Sequence, residues 1–212
     1  MSDEKVKQAW EEEWKLSSNV SDRASFIGVW IHKQKMKIIN DMLCKVDNRA
    51  KTIDLGCGGG ITLSTLRMRG FYDSIGIDYS DAALENCEKL GFKKDKDVFY
   101  MDAMKTTFPD KTFNFCVSEG LWEHYKDPTP FMDETCRLSN HWIMISQPDH
   151  FSFFGGLLHW AWLHLGGKGV LEYSFKLQYF IDYLKTKGFV LIARKSTLLH
   201  EQSVMLFELK SE

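Results

Sequence analysis

The sequence lacks the features that mark several protein classes. No stretch of about 18 uncharged apolar residues occurs, so we expect no transmembrane helix. The five cysteines are widely spaced without a C-x-x-C pair, which favours reduced thiols and a cytoplasmic location over a disulfide framework. Residues 1–5 are polar, so we expect no secretory signal. The formal net charge is only -2, which disfavours DNA or RNA as a partner.

The 212 residues suit one domain with a sizeable core, preceded by two predicted helices. Apolar residues lie four apart in residues 3–16, and residues 22–43 carry an apolar face behind Asp22 as N-cap. We therefore assign residues 1–44 to an N-terminal helical cap and residues 45–212 to the main domain. The first helix is interpreted as docking on that domain, and the alternative is that it covers a ligand pocket. Three lysines of the second helix are expected to face solvent, namely Lys33, Lys35 and Lys37.

A glycine-rich turn follows the first predicted strand of the main domain. Residues 52–60 read T-I-D-L-G-C-G-G-G, with four glycines among the last five residues. Glycine reaches positive φ without strain, and it has no Cβ to keep a ligand away from the backbone. A strand, such a turn and a helix together indicate a nucleotide site. Asp54 is a poor neighbour for a diphosphate, so the turn favours a cationic nucleoside such as S-adenosylmethionine.

Residues 54–60 resemble motif I of the class I S-adenosylmethionine-dependent methyltransferases, in particular the small-molecule, type 11-like branch. The resemblance extends from about residue 50 to the C-terminus. It implies a Rossmann-like three-layer α/β sandwich, whose seven-stranded and mostly parallel sheet has an antiparallel last strand. One departure is that residues 137–142 read R-L-S-N-H-W, where the family often has Pro-Gly-Gly.

The alternation of strands and helices in the main domain independently predicts a parallel sheet. A short link at residues 199–202 joins the last two strands, so these should form a hairpin. The predicted strands cover residues 51–55, 74–78, 97–101, 113–118, 142–146, 189–196 and 203–209. The predicted helices among them cover residues 61–69, 81–90, 129–139 and 174–187.

Acidic residues end the first four predicted strands, where ligands bind in open parallel sheets. Asp78 follows Asp54 at about the 20-residue offset of a ribose-binding acid. Asp102 resembles the family's adenine-binding acid, and Glu119 ends the fourth strand beside the expected reaction centre. The resemblance implies a cofactor-binding set of Asp54, Gly56, Cys57, Gly58, Gly60, Asp78, Tyr79, Ser80, Asp102, Ala103, Glu119 and Gly120.

Residues 118–125 resemble the family segment after the fourth strand, which contains a Glu-His pair. His124 is the candidate general base, because the pKa of imidazole lies near neutral. The alternative is a structural role for His124 in that loop. Methyl transfer from a sulfonium needs a base only for an acceptor that must lose a proton, because in-line positioning alone supplies roughly 7–11 kcal/mol.

Residues 149–172 form a strongly apolar and aromatic insert. The resemblance implies that this segment helps to build the acceptor pocket, and its composition suggests an apolar or aromatic small molecule. A homodimer interface through residues 151–165, plain core and a lipid-contacting patch are the alternatives. The insert's histidines lack i, i+4 spacing and acidic neighbours in sequence, so we predict no metal site. The candidate acceptor contacts are Trp122, His124, His150 and Trp30.

We therefore expect an enzyme that transfers a methyl group from S-adenosylmethionine to a small acceptor, leaving S-adenosylhomocysteine. A protein that binds or senses the cofactor without catalysis is the alternative. A nicotinamide-dependent oxidoreductase is disfavoured by Asp54 and by the spacing of the glycines. The sequence does not specify which acceptor atom is methylated.

Overall fold

A computed structural model describes residues 3–16, 26–164 and 170–210. Its centre is a seven-stranded sheet in the order β3-β2-β1-β4-β5-β7-β6. The N-cap predicted at Asp22 lies outside the described residues. The strands are β1 (Thr52–Leu55), β2 (Ser74–Asp78), β3 (Val98–Tyr100), β4 (Phe113–Glu119), β5 (Ser139–Pro148), β6 (Phe189–Ser196) and β7 (Gln202–Leu209).

Seven helices are described around this sheet. None of them, within the described ranges, is both long enough and apolar enough to cross a membrane. They are α1 (Asp3–Leu16), α2 (Phe26–Leu43), α3 (Ile61–Met68), α4 (Asp81–Lys89), α5 (Thr129–Leu138), α6 (Phe153–His164) and α7 (Leu177–Thr186).

The strand directions confirm the predicted fold class. Strands β1 to β5 run parallel to one another, whereas β7 is antiparallel to both β5 and β6. Strand β1 lies between β2 and β4, so the chain order reverses beside it. Such a reversal opens a crevice at the carboxyl ends of the strands, which is where ligands bind in this architecture. The glycine-rich turn after β1 lies at that crevice.

Two apolar cores cover the two faces of the sheet and produce the three layers. One core contains Leu184 of α7, Met132 of α5 and Val6 of α1. The other contains Ile39 of α2 and buried residues of α3 and α4. Helix α1 thus docks on the main domain through a buried apolar side chain. The division of the chain at residue 44 stays a prediction.

The structure differs from the sequence-based assignments in three places. Strand β5 is longer than predicted, because it pairs with β4 on one side and β7 on the other. The insert at residues 149–172 contains the helix α6, which was not assigned. A short 3₁₀ turn at Trp122–His124 was also missed. The extension of β5 depends on pairing between segments that are distant in sequence.

The five cysteines differ in accessibility. Cys44 is exposed, just after α2. The other four thiols are buried, and burial raises the pKa of Cys116. The buried positions are Cys57, Cys87, Cys116 and Cys136.

Candidate functional site

The turn after β1 requires glycine at three positions. Gly56, Gly58 and Gly60 have φ of 73°, 50° and 83°, in the left-handed region that other residues rarely adopt. The backbone N–H groups of Gly56 and Cys57 each donate a hydrogen bond of 2.9 Å to the carbonyl of Ile77. These bonds fix the turn against β2.

The side chain of Cys57 faces the sheet. A Cβ built on Gly76 of β2 would come within 2.8 Å of the Cys57 Sγ atom. Its interaction with Cys87 and burial both raise the pKa of the Cys57 thiol well above its usual value. Cys57 therefore contributes its backbone N–H group to the turn, while its thiol is buried and stays protonated.

Asp54 is a buried acid without a partner. Among the described residues, neither of its carboxyl oxygens has a hydrogen-bond partner. Burial raises its pKa well above the ordinary value, and the nearby charges of Glu119 and Asp78 add to that effect. A buried polar group in this condition costs about 1–3 kcal/mol. A ligand that brings a positive charge or hydrogen-bond donors would satisfy it.

Asp78 joins two turns at the carboxyl edge. Its Oδ2 accepts a 2.9 Å hydrogen bond from the N–H of Gly58, and its Oδ1 accepts one of 2.9 Å from the N–H of Ser80. Burial raises the pKa of Asp78 to about 6, although these backbone bonds oppose the rise. The charge of Glu11 on α1 contributes to the increase.

Asp102 follows β3, the strand next to β2, at the same edge of the sheet. Its Oδ1 accepts a 2.9 Å hydrogen bond from the N–H of Met104, and its Oδ2 forms an ion pair of 2.6 Å with Lys7 Nζ. The Lys7 ammonium also lies 5.4 Å from the centre of the Tyr79 ring. Ala103 is buried beside Asp102. The acid predicted to recognise adenine thus contacts α1 in this structure.

Helix α1 contacts two further positions of the predicted cofactor set. Ser80 Oγ donates a 2.6 Å hydrogen bond to Glu11 Oε2. The ring of Trp14 packs directly on Gly58, because a Cβ built there would lie 2.5 Å from the ring. The carbonyl of Trp14 accepts a 3.3 Å bond from Asn86 Nδ2 of α4. Helix α1 therefore lies across the glycine turn and the end of β2.

Glu119 ends β4 and forms an ion pair with Lys35 of α2. Burial acts to raise the pKa of Glu119, but the Lys35 ammonium outweighs it and holds that pKa below its usual value. The expectation that Lys35 faces solvent is wrong, since its side chain is only 15% exposed. Lys35 precedes the buried Ile39 by four residues and Met42 by seven, and this helical spacing was the missed signal.

His124 is buried in the loop after β4. Its Nδ1 lies 2.9 Å from the carbonyl of Leu171, which can only accept, so Nδ1 carries the proton and Nε2 is the basic nitrogen. Burial lowers the pKa of His124, against the opposing charge of Glu172, so the imidazole is neutral near pH 7. The ring of Trp10 meets it edge-on at 4.8 Å between centroids. Gly120, in the same loop, has φ of 66°.

Residues 53–141 match the family model described as a methyltransferase domain. The matched stretch begins in β1, includes the glycine turn and contains the acids that end the first four strands. This stretch of the chain is therefore similar to a methyltransferase domain.

Solved structures share the fold of this methyltransferase domain. Magnesium protoporphyrin IX methyltransferase from Synechocystis PCC 6803, with bound SAH, is 14% identical, covers 99% of this chain and 100% of its own, and gives a TM-score of 0.75. A methyltransferase in complex with the Haloferax volcanii Trm112 methyltransferase activator is 13% identical, with 98% of both chains covered and a TM-score of 0.74. At these identities the likeness shows the fold alone.

A curated relative is similar to part of this chain. EEF1A lysine methyltransferase 2 from Danio rerio is 26% identical over 124 residues. The match covers 56% of this chain and 53% of that relative, so the chain spans about half of the relative's length.

The predicted acceptor contacts do not share one environment. Trp122 is fully buried against Phe180, with 5.8 Å between ring centroids. Trp30 lies on α2 and is 37% exposed. His150 has an acidic partner that sequence spacing did not reveal, since its Nε2 lies 3.1 Å from Glu172 Oε2. The roles of these residues in binding an acceptor stay predictions.

The insert at residues 149–172 presents apolar side chains to solvent. Phe153 is 80% exposed. Four other large apolar residues of this segment are also exposed. This exposure excludes plain core as the explanation for the composition of the described part of the insert. The exposed residues are Phe151, Phe153, Phe154, Leu157 and Trp160.

We predict that Asp54→Asn flattens the pH dependence of stability in the absence of cofactor. The raised pKa of folded Asp54 gives stability that is fully present below the unfolded pKa and is lost as pH rises toward the folded value. Between about pH 5 and about pH 8, the variant should lose less free energy of unfolding than the parent, by about 1–3 kcal/mol. Urea unfolding at both pH values measures this difference.

The matched control is Asp73→Asn, which changes an exposed acid just before β2. Equal pH slopes for the parent and Asp54→Asn would show that the buried carboxyl carries no such penalty.

Proposed function

We propose that this chain transfers the methyl group of S-adenosylmethionine to a small apolar or aromatic acceptor. The observation that carries the cofactor assignment is the buried, unpartnered carboxyl of Asp54 beside the left-handed glycine turn. A diphosphate would face repulsion there. A ligand with a sulfonium and an ammonium group supplies the positive charge that Asp54 does not receive from the described residues.

The acids along the edge have distinct roles in this proposal. Asp78 accepts hydrogen bonds from the ribose hydroxyls, and Asp102 accepts one from the adenine amine. The bare backbone of Gly58 allows close approach, while Asp54 and Glu119 face the cationic methionine part. The bound cofactor supplies an activated methyl group.

His124 provides the proton chemistry for acceptors that need it. Its Nε2 is basic and its ring is held by the carbonyl of Leu171, so the nitrogen has a fixed direction. Burial favours the neutral imidazole, which is the form that removes a proton. An acceptor hydroxyl would transfer its proton to Nε2 as the methyl group arrives. An already neutral amine would need only positioning.

A second candidate function is methylation of a protein lysine. The similarity to a lysine methyltransferase from Danio rerio favours it. Partly exposed acids near His124 also suit an amine acceptor, because Glu119 and Glu172 both act electrostatically on that imidazole. The small-acceptor proposal instead draws on the aromatic insert. Release of S-adenosylhomocysteine with panels of phenols, small amines and lysine-containing proteins separates the two functions.

We predict that S-adenosylmethionine binds with an affinity that falls below about pH 6. Protonated Asp78 cannot accept both ribose hydroxyls, so binding must expel its proton. The Kd should rise by about tenfold per pH unit below that pKa. Asp78→Asn should weaken binding at least about tenfold at neutral pH. Isothermal titration calorimetry with the cofactor and with S-adenosylhomocysteine measures both effects.

Asp182→Asn changes an acid on α7 and serves as the control. Absence of heat with either compound, in the parent and in variants truncated in α1 alike, would reject the cofactor assignment. Tighter binding of a nicotinamide dinucleotide would favour an oxidoreductase instead. Binding without product formation from any acceptor class would favour the sensor alternative.

We predict that His124→Ala lowers turnover of a hydroxyl acceptor by about 10²–10⁴-fold. The acid limb of the parent's pH profile should lie below the ordinary pKa of histidine, because burial lowers the pKa of His124. That limb should disappear in the variant. Initial rates of S-adenosylhomocysteine release across the pH range give the result.

His164→Ala on α6 is the control, since this histidine is exposed. Near-normal turnover of His124→Ala at every pH would assign His124 a structural role in its loop.

A further inference from the structure

Three potential metal ligands converge beside the carboxyl edge of the sheet. His150 follows β5, His159 lies on α6, and Glu172 follows the insert. One ligand atom from each residue lies within 4.8 Å of the other two. The two imidazole rings stack with their centroids 3.8 Å apart and an angle of 19° between their planes.

The hydrogen bonds of His150 suit an exchange between an ion-free and an ion-bound state. Its Nε2 lies 3.1 Å from Glu172 Oε2, and its Nδ1 lies 3.0 Å from Ser174 Oγ. A proton on Nε2 is donated to the carboxylate. If that proton moves to Nδ1, the Nδ1–H group donates a hydrogen bond to the serine hydroxyl. The lone pair of Nε2 is then available to a metal ion. Second partners of this kind orient the histidines in protein metal sites.

The ligand set selects the class of ion. Two imidazoles and one carboxylate suit divalent zinc and its first-row neighbours. Ligand atoms around tetrahedral zinc lie about 3.3 Å apart, given bonds of about 2.0–2.2 Å, so ring rotations and a small shift of Glu172 would close the site. Three protein ligands leave one coordination position for water or a substrate atom.

We propose that His150, His159 and Glu172 bind a divalent transition-metal ion. This site corrects the reasoning behind the sequence prediction of no metal, because the fold supplies the acidic neighbour that the spacing of the histidines does not show. The proposal does not depend on methyl transfer, and ion binding can be measured without cofactor or acceptor.

The test uses calorimetric titration of the full chain with Zn²⁺, and with Co²⁺ as a spectroscopic probe. The parent should bind one ion, and Co²⁺ should give the visible absorption of a four- or five-coordinate nitrogen and oxygen site. His159→Ala and Glu172→Gln should each weaken binding at least about tenfold. Circular dichroism identifies any variant that fails to fold, in which case the other variant decides.

The matched control is His141→Ala. His141 also faces a carboxylate, with 3.0 Å from its Nε2 to Glu208 Oε1, but among the described residues no third ligand joins that pair. The control should bind the ion like the parent. Absence of binding, equal affinity of all variants, or thiolate-to-cobalt charge-transfer bands from a cysteine site would each overturn the proposal.

A different set of contacts supports a second inference, which rests on the proposed cofactor site. The Lys7 ammonium lies against Asp102 and Tyr79, where adenine is proposed to bind. The Trp14 ring lies on Gly58, whose missing Cβ leaves the space that it fills. Helix α1 thus offers a cation and an aromatic ring to the same edge that is proposed to hold a cationic aromatic nucleoside.

We propose that α1 competes with the cofactor for this edge. Binding must displace Lys7 and Trp14, so the apparent affinity is reduced by the fraction of molecules in which α1 covers the site. Truncating either side chain removes part of that competition. A helix that covered and contacted the bound cofactor would behave differently. Truncating its side chains would weaken the binding of the cofactor.

Lys7→Ala and Trp14→Ala should each bind S-adenosylhomocysteine at least about threefold more tightly than the parent. The control is Lys5→Ala, which changes an exposed lysine on the same helix. Calorimetry gives the affinities. Tryptophan fluorescence should also change when the ligand binds to the parent, and the change should be smaller in Trp14→Ala.

Equal or weaker binding by both variants would overturn the competition while leaving the cofactor assignment intact. Absence of binding in the parent together with binding in either variant would support strong competition. Absence of binding in every protein would reject the cofactor site and this inference with it.

Discussion

The burial of carboxyl groups at one edge of the sheet is the constraint on which the site depends. Each buried acid needs compensation, since an unpaired charge or polar group is costly away from water. Asp78 receives two backbone N–H groups, and Glu119 receives the Lys35 ammonium. Asp54 receives no hydrogen bond from the described residues. The carboxyl of Asp54 therefore lies at the point where the chain order reverses. Its burial destabilises the fold locally, and a bound ligand can remove that cost.

Local signals explain why much of the fold could be predicted from the sequence. The glycine turn and the apolar strands depend on short-range rules of φ and burial, and the alternation of elements specified the mostly parallel sheet. Lys35 was missed because its partner Glu119 is 84 residues away and meets it only after α2 docks. Glu172 was missed for the same reason, since its pairing with His150 depends on how the insert folds back. The predicted acceptor residue Trp122 proved to be a fully buried core residue.

Two segments outside the central sheet meet at one residue. Trp10 of α1 contacts the His124 ring edge-on. The carbonyl of Leu171, which follows α6, accepts a hydrogen bond from the Nδ1–H group of His124. The loop after β4 supplies the imidazole, but its tautomer and surroundings come from the N-terminal helix and the insert. Changes in either segment can thus alter the chemistry at His124 while the sheet and its glycine turn stay the same.

The uneven exposure of the cysteines has a practical consequence. Cys44 is exposed and precedes β1, so it lies toward the amino ends of the strands, on the side of the sheet away from the glycine turn. The remaining thiols are enclosed by the core. A maleimide dye would therefore attach to the unmodified sequence at a single place, which provides a fixed reference point for measuring movement elsewhere in the chain.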